Sequence, residues 1–219
     1  MTVLGSPLDL RGVTVWPGFL SRPAQEAMLL DVLRVMEAAP PFHLTTRWGK
    51  PMSVAMTSAG RFGWFSDRRG YRYVDRHPAG HPWPPIPGSV LAVWDALAPG
   101  ARAPECCLVN LYRDGARMGL HQDRDEADLA QPVVSISLGD DALFRVGHLE
   151  RGGSTESTWL RSGDVLAIGG PARLVHHGVD RVREGSSDLV PGGGRINLTL
   201  RVVTARDGGP LAGPQDPSA

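Results

Sequence analysis

Apolar and polar positions alternate with two different periods along this chain. Between residues 22 and 38, Ala24, Met28, Leu29, Val32, Leu33, Val35 and Met36 recur near the helical period and predict an amphipathic helix. Ser21 stands as its N-cap and Pro40-Pro41 stops it. A second helix is predicted over about 88–98, carrying Val90, Leu91, Val93, Trp94 and Leu97 and ending at Pro99-Gly100. Both read as supports packed on a sheet. Elsewhere the period is two. Val13–Trp16 and Met52–Met56 read as short strands, and from 106 onward strands are predicted over 106–112, 119–123, 132–138, 142–147, 156–160, 164–168, 172–177 and 195–203. Turn residues separate them at the spacing of a sandwich or barrel, which predicts a double-sheet jelly roll. Gly63-Trp64 and Gly70-Tyr71 read as turns beside aromatics, residues 185–194 as a flexible connection, and residues 1–10 as loose.

Composition narrows this picture. The 219 residues suit one ordinary domain, and 27 Gly and 19 Pro against 21% charged residues favour turns and short strands over long helices. The expected class is α+β, mainly β. Within one domain spanning 1–219, about 11–41 form an N-terminal strand and helix and about 42–87 a surface lid. About 88–203 form a helix and the jelly roll, and 204–219 a flexible tail with too few apolar residues to pack. Net charge is zero, so bulk charge calls for no nucleic-acid partner. Locally the balance differs: Arg61, Arg68, Arg69, Arg72 and Arg76 face only Asp67 and Asp75 in that stretch, as a phosphate-attracting patch or a solvated loop. Cys106 and Cys107 are adjacent, point to opposite faces of a strand, and suit reduced thiols in a reducing compartment. With no leader pattern and no long apolar run, a cytoplasmic protein with no membrane contact is expected.

Candidate chemistry sits in two stretches. On a strand, His121 and Asp123 share a face, with Asp125 next in line, and His176-His177 lies far along the chain where another strand can supply a third ligand. Two histidines and one carboxylate on one face, with the other positions open, is the ligand set of non-haem Fe(II) oxygenases. In Arg195–Arg201, Ile196, Leu198 and Leu200 face one side while Arg195, Asn197, Thr199 and Arg201 face the other. The two arginines stand about 20 Å apart along the strand and can hold a small dianion at both ends. An exposed edge strand with a wet polar face is the bland alternative.

Taken together, Asn-x-Tyr (Asn110, Tyr112), His-x-Asp-x-Asp (His121, Asp123, Asp125), His-Gly (His177, Gly178) and Arg-x-Asn-x-x-x-Arg (Arg195, Asn197, Arg201) resemble the AlkB family of Fe(II)- and 2-oxoglutarate-dependent dioxygenases. The likeness covers roughly residues 42–203. Upstream, Met52–Thr57, Gly63-Trp64 and Gly70–Tyr73 resemble the nucleotide-recognition lid of the bacterial repair enzymes. Trp48 and Lys50 depart from that pattern, replacing a glycine-rich tract, and Ile168 stands where an aromatic is often found.

The resemblance implies a double-stranded β-helix in which His121, Asp123 and His177 bind iron and His176 points away. It further implies that Arg195, Asn197 and Tyr112 hold the distal carboxylate of 2-oxoglutarate, with Arg201 and Asn110 at the end near the metal. Met56, Trp64, Tyr71 and Asp125 would meet the substrate, a cationic N-alkylated base such as N1-methyladenine or N3-methylcytosine in DNA, with RNA as a second candidate. The implied reaction is oxidative removal of the alkyl group as an aldehyde, with succinate and CO2 as co-products, by a monomer. Two competing readings use the same residues: an oxygenase acting on a free metabolite or protein, and a metal-containing module that binds nucleic acid without turnover.

Overall fold

The alternation of side chains on the strands predicts sheets with one face to a core, and the observed sheets use both faces. A computed structural model of the chain describes residues 6–206. Its strands are β1 (Leu8–Leu10), β2 (Val13–Trp16), β3 (Phe42–Thr45), β4 (Pro51–Gly60), β5 (Gly63–Asp67), β6 (Gly70–Val74), β7 (Cys106–Tyr112) and β8 (Met118–His121). They continue as β9 (Val133–Gly139), β10 (Asp141–Val146), β11 (Glu156–Leu160), β12 (Val165–Ile168), β13 (His177–Arg183) and β14 (Arg195–Arg201). Helices α1 (Arg22–Ala38) and α2 (Gly88–Leu97) complete the elements that matter here. The large sheet runs β1-β2-β12-β9-β14-β7-β4-β3, the small one β11-β10-β13-β8, and β5-β6 forms a separate hairpin. Neighbouring strands among the described residues pair antiparallel, as in a jelly roll.

The two faces of the large sheet differ in kind. One is apolar: Val109, Ile136, Ile196, Leu198 and Leu200 pack against Met28, Val32 and Val35 of α1 and Val93 and Trp94 of α2. Each large side chain fully buried there contributes roughly 1.5–3 kcal/mol. The opposite face turns toward the small sheet, and there the same strands present Asn110, Tyr112, Ser135, Arg195, Asn197 and Arg201. The helices thus fasten one face so that the other can carry polar groups. Cys107 falls on the helix side and Cys106 on the other, both as free thiols, in line with their adjacency.

Several local expectations are corrected. Gly63 and Gly70 begin strands β5 and β6 rather than marking turns; the turn lies between them, because Asp67 and Arg72 pair at 2.8 Å across the hairpin's end. The predicted strand 119–123 ends at His121, leaving Asp123 and Asp125 in the following loop. A short 3-10 turn, Gly170–Ala172, runs into the segment predicted as strand 172–177, and the strand starts only at His177. Leu8–Leu10 pairs with β2 instead of being loose, while residues 1–5 and 207–219 lie outside the described residues. The connection 185–194 is pinned, since Asp140 accepts from the backbone N–H groups of Gly185, Ser187 and Gly194. Among the described residues no helix is long and apolar enough to cross a membrane.

Candidate active site

Strand pairing brings the two candidate stretches together. Tyr112 of β7 lies directly opposite Arg195 of β14, and Asn110 opposite Asn197. In the small sheet His121 of β8 lies opposite His177 of β13. Gly178 makes that second pairing possible. A Cβ there would stand 2.6 Å from the Met118 carbonyl and 2.7 Å from that of Gly119, so only glycine admits so close an approach. The register slips at this point, and the bulge helps aim His177 into the space between the sheets.

That space is a cavity of about 480 Å³, and every candidate metal, keto-acid and substrate residue named from the sequence lines it. His121, Asp123 and His177 place one ligand atom each within 4.8 Å of one another. The Nε2 atoms of His121 and His177 lie 3.7 and 3.6 Å from Asp123 Oδ1 and Oδ2. Each imidazole is oriented from behind. His121 Nδ1 meets the Gly119 carbonyl at 2.9 Å and His177 Nδ1 the Val175 carbonyl at 3.0 Å. An Nδ1–H that donates to a carbonyl leaves Nε2 with its lone pair, as a metal ligand requires. Burial, reinforced by the neighbouring His177, pushes the His121 imidazole down to about 4, so it is neutral near pH 7. Burial opposes ionisation of Asp123, but the Arg201 guanidinium and both imidazoles more than offset it and hold the carboxyl well below the usual range. Two imidazoles whose Nε2 atoms face one carboxylate held as an anion fit a divalent cation. His176 also borders the cavity but stands outside the ligand cluster, its Nδ1 meeting the carbonyl of His148 at 2.9 Å.

The floor of the cavity carries a second unmet demand. Arg195 is 1% exposed, and NH2 donates to Ser137 Oγ at 2.9 Å. Its Nε and NH1 meet no acceptor among the described residues, and neither does any donor reach Asn110 Oδ1. Burial weakens the hold of this guanidinium on its proton without a carboxylate at hydrogen-bond distance. Beside it, burial pushes the Tyr112 phenol up to about 12, so it stays a protonated donor. A buried cation with idle donors next to a phenolic O–H fits the far carboxylate of a keto acid. Asn197 lines the same wall, but its amide already donates to Ser135 Oγ and the Ile136 carbonyl and accepts from Thr199. A direct bond from Asn197 to a ligand requires one of these to exchange.

At the other end Arg201 is paired with carboxylates, its Nε alone lacking an acceptor among the described residues. NH2 donates to Asp123 Oδ1 at 2.9 Å and NH1 to Glu126 Oε1 at 3.0 Å. On the rim, the rings of Trp64 and Tyr71 stack at 5.3 Å, and the Trp64 indole N–H donates to Asp125 Oδ2 at 2.8 Å. Burial raises the Asp125 carboxyl, while the Trp64 bond lowers it in part. Met56 is buried in the wall beneath them.

Sequence reasoning missed Ser135 and Ser137, and it missed Glu126, Arg173 and Tyr73. The two serines had a signal: they alternate with Val134, Ile136 and Leu138 on a strand whose partner face is polar. Glu126 had none, since it extends an acidic run that reads as solvated.

A two-layered antiparallel fold with a His-Asp-His cluster beside a buried idle guanidinium defines a keto-acid-dependent iron oxygenase. Residues 12–201 match the 2OG-Fe(II) oxygenase superfamily. The chain is 58% identical over 203 residues, 92% of either chain, to the alpha-ketoglutarate-dependent dioxygenase AlkB homolog of Caulobacter vibrioides. It is 40% identical over 202 residues, 90% of this chain and 92% of the other, to the alpha-ketoglutarate-dependent dioxygenase AlkB of Salmonella typhimurium. A solved structure titled "The structure of OsALKBH1" aligns with a TM-score of 0.75 at 30% identity, over 90% of this chain and 99% of that one. The protein belongs to the AlkB family of Fe(II)- and 2-oxoglutarate-dependent dioxygenases.

Proposed function

We propose that this enzyme directly reverses alkylation damage, removing the alkyl group from bases such as N1-methyladenine and N3-methylcytosine in DNA, and also in RNA. The observation that carries this reading is that one cavity joins the His-Asp-His cluster and the idle Arg195 donors to an aromatic pair with a carboxylate at its mouth. Bases alkylated at those nitrogens are cationic and have lost Watson–Crick pairing, so they flip out at lower cost than normal bases. Trp64 and Tyr71 offer such a base a π face, and Asp125 offers its charge and exocyclic amine an acceptor. On this reading β5 and β6 form part of a nucleotide-recognition lid, whose arginines meet phosphates. A cytoplasmic monomer completes it, which the two free buried thiols suit.

In the mechanism we assign, His121, Asp123 and His177 would hold Fe(II), Arg195 and Tyr112 would receive the distal carboxylate of 2-oxoglutarate, and Arg201 and Asn110 would serve its other end. When bound, iron and keto acid activate O2 to hydroxylate the N-alkyl carbon, yielding succinate, CO2, an aldehyde and the restored base. Arg201 keeps Asp123 ionised and fixed on Oδ1. Gly119 and Val175 carbonyls hold the imidazole tautomers. Tyr112 keeps its proton and orients the far carboxylate. The apolar wall of Met56, Leu108, Val133, Leu166 and Ile168 limits water around the reacting carbon.

The test is anaerobic reconstitution with Fe(II) and 2-oxoglutarate, followed by air, with an oligonucleotide carrying one N1-methyladenine or N3-methylcytosine read by mass spectrometry. Loss of the methyl mass, abolished in His121→Ala and Asp123→Ala, is the expected result. Succinate without loss of the methyl group would leave the oxygenase in place and overturn the substrate.

A further inference from the structure

Glu126 belongs neither to the cluster of candidate metal ligands nor to the keto-acid set, yet it is among the most buried carboxylates of the protein at 4% exposure. It lies between two guanidinium groups. Oε1 accepts from Arg201 NH1 at 3.0 Å and from the Tyr73 hydroxyl, and Oε2 accepts from Arg173 NH2 at 2.9 Å. Both arginines reach onward to Asp123. Arg201 donates from NH2 to Asp123 Oδ1 at 2.9 Å, and Arg173 donates from NH1 to the Asp123 main-chain carbonyl. Arg173 is anchored in turn by its Nε on the Gln131 carbonyl at 2.9 Å. Two cations and two anions, all buried, lie in contact, and Asp123 is gripped by both its side chain and its backbone.

The charges balance only because Glu126 is there. Without its negative charge, Arg201 and Arg173 would face Asp123 as their one anionic neighbour in this group, and the two guanidiniums would repel across the gap. Arg201 would then draw harder on Asp123 Oδ1, taking electron density from the carboxylate that the His121 and His177 Nε2 atoms surround. Outer-shell partners of this kind orient a ligand and tune its donor strength.

We infer that Glu126 is a positioning residue of the iron site, setting the placement and the charge balance of Arg201 and Arg173 so that Asp123 is presented as a full anionic ligand in a fixed orientation. The Tyr73 hydroxyl, from β6 of the hairpin, is the third group that fixes the Glu126 carboxylate. The inference rests on His121, Asp123 and His177 being the metal ligands, and it makes no use of the identity of the nucleic-acid substrate.

The experiment uses the full-length protein with Mn(II) as a redox-silent probe. Its dissociation constant is read by electron paramagnetic resonance, beside KM and kcat for 2-oxoglutarate from succinate release and Tm from a thermal melt. Glu126→Gln, equal in size and lacking the charge, should weaken Mn(II) binding about 10- to 100-fold, the range for outer-shell partners of metal ligands. It should also raise KM for the keto acid through the displaced Arg201. A merely structural role lowers Tm and leaves both constants alone, and that result overturns the inference. If Glu126→Gln does not fold, Arg173→Lys serves in its place. It keeps the charge but loses the planar fork that bridges Glu126 and the Asp123 carbonyl, and it should weaken Mn(II) binding in the same direction. An unchanged constant there is equally fatal. His121→Ala separates the two levels: if it fails to impair Mn(II) binding, the site assignment itself is wrong, whereas impaired binding in His121→Ala with none in Glu126→Gln removes only the role of Glu126.

Discussion

Arg195 and Arg201 stand on one strand, face one cavity and are both almost wholly buried, yet their surroundings are opposite in kind. Arg201 is met by Asp123 and Glu126. Arg195 has Ser137 on one nitrogen and two further donor nitrogens without an acceptor among the described residues. A buried guanidinium neutralised by carboxylates is part of the scaffold; one without a carboxylate at hydrogen-bond distance is costly until a ligand anion arrives. The difference teaches which end of the floor is built into the fold and which is kept open for the co-substrate, a distinction that the shared residue type conceals.

The largest effect that would sharpen this contrast is on stability. Arg201→Leu leaves the buried Asp123 carboxylate without its guanidinium partner and Glu126 with Arg173 alone, and should destabilise the protein by about 3–5 kcal/mol. Arg195→Leu removes a cation that lacks a carboxylate partner, and should leave the ligand-free Tm near that of the wild type. Thermal melts of the two variants side by side decide the matter, and equal losses would erase the contrast. Next comes the ligand. Adding 2-oxoglutarate with Mn(II) at 100 times its dissociation constant should stabilise the wild type by about 2.7 kcal/mol. In Arg195→Leu the lost charge-assisted hydrogen bonds, about 1.5–3 kcal/mol, should raise the keto-acid KM roughly 10- to 150-fold and shrink that shift accordingly.

How legible each end was in the sequence follows the same division. The alternation in Arg195–Arg201 gave both the apolar side that packs on the helices and the polar side that faces the cavity, because period two survives in a strand buried on both faces only if the faces differ. The metal candidates were legible as spacing, and pairing of His121 with His177 supplied what spacing implied. Local geometry was less so. Asp123 comes to the cluster from a loop past the end of β8, and β13 begins at His177 after a 3-10 turn, because bulges and strand ends are set by the partner strand. Gly63 and Gly70 look like turn signals and open strands instead; at Gly63 a Cβ would lie 2.3 Å from the Trp83 ring, a close approach that no local pattern announces. Glu126 shows the limit most plainly. Its partners Tyr73, Arg173 and Arg201 lie 47 to 75 residues away, and nothing in the run His121–Glu126 distinguishes a buried charge from a solvated one.

The rim extends the comparison from the floor to the mouth of the cavity, where effects should be smaller because the groups are half-buried and the partner is a flexible strand. Trp64→Ala removes the ring on which we place the base and should lower kcat/KM for the alkylated oligonucleotide by about 1–3 kcal/mol, the range for base stacking on an aromatic. The keto-acid KM should not follow, since the side chain of Trp64 is engaged with Tyr71 and Asp125 at the rim. A rise in the keto-acid KM in step with the fall in kcat/KM would mean that the hairpin holds the floor together instead of reading the base. Trp64→Phe is the finer probe. It keeps a ring to stack but loses the indole N–H that Asp125 Oδ2 accepts at 2.8 Å. Asp125 would then be freer to turn and less stabilised as an anion, because that bond lowers its pKa against the rise caused by burial. A cationic base needs the carboxylate ionised and aimed, so kcat/KM should fall by about 1 kcal/mol, the worth of one hydrogen bond. An uncharged adduct such as an alkylated thymine should be less affected. If both substrates lose equally, Trp64 acts through its ring alone and the Asp125 contact is packing.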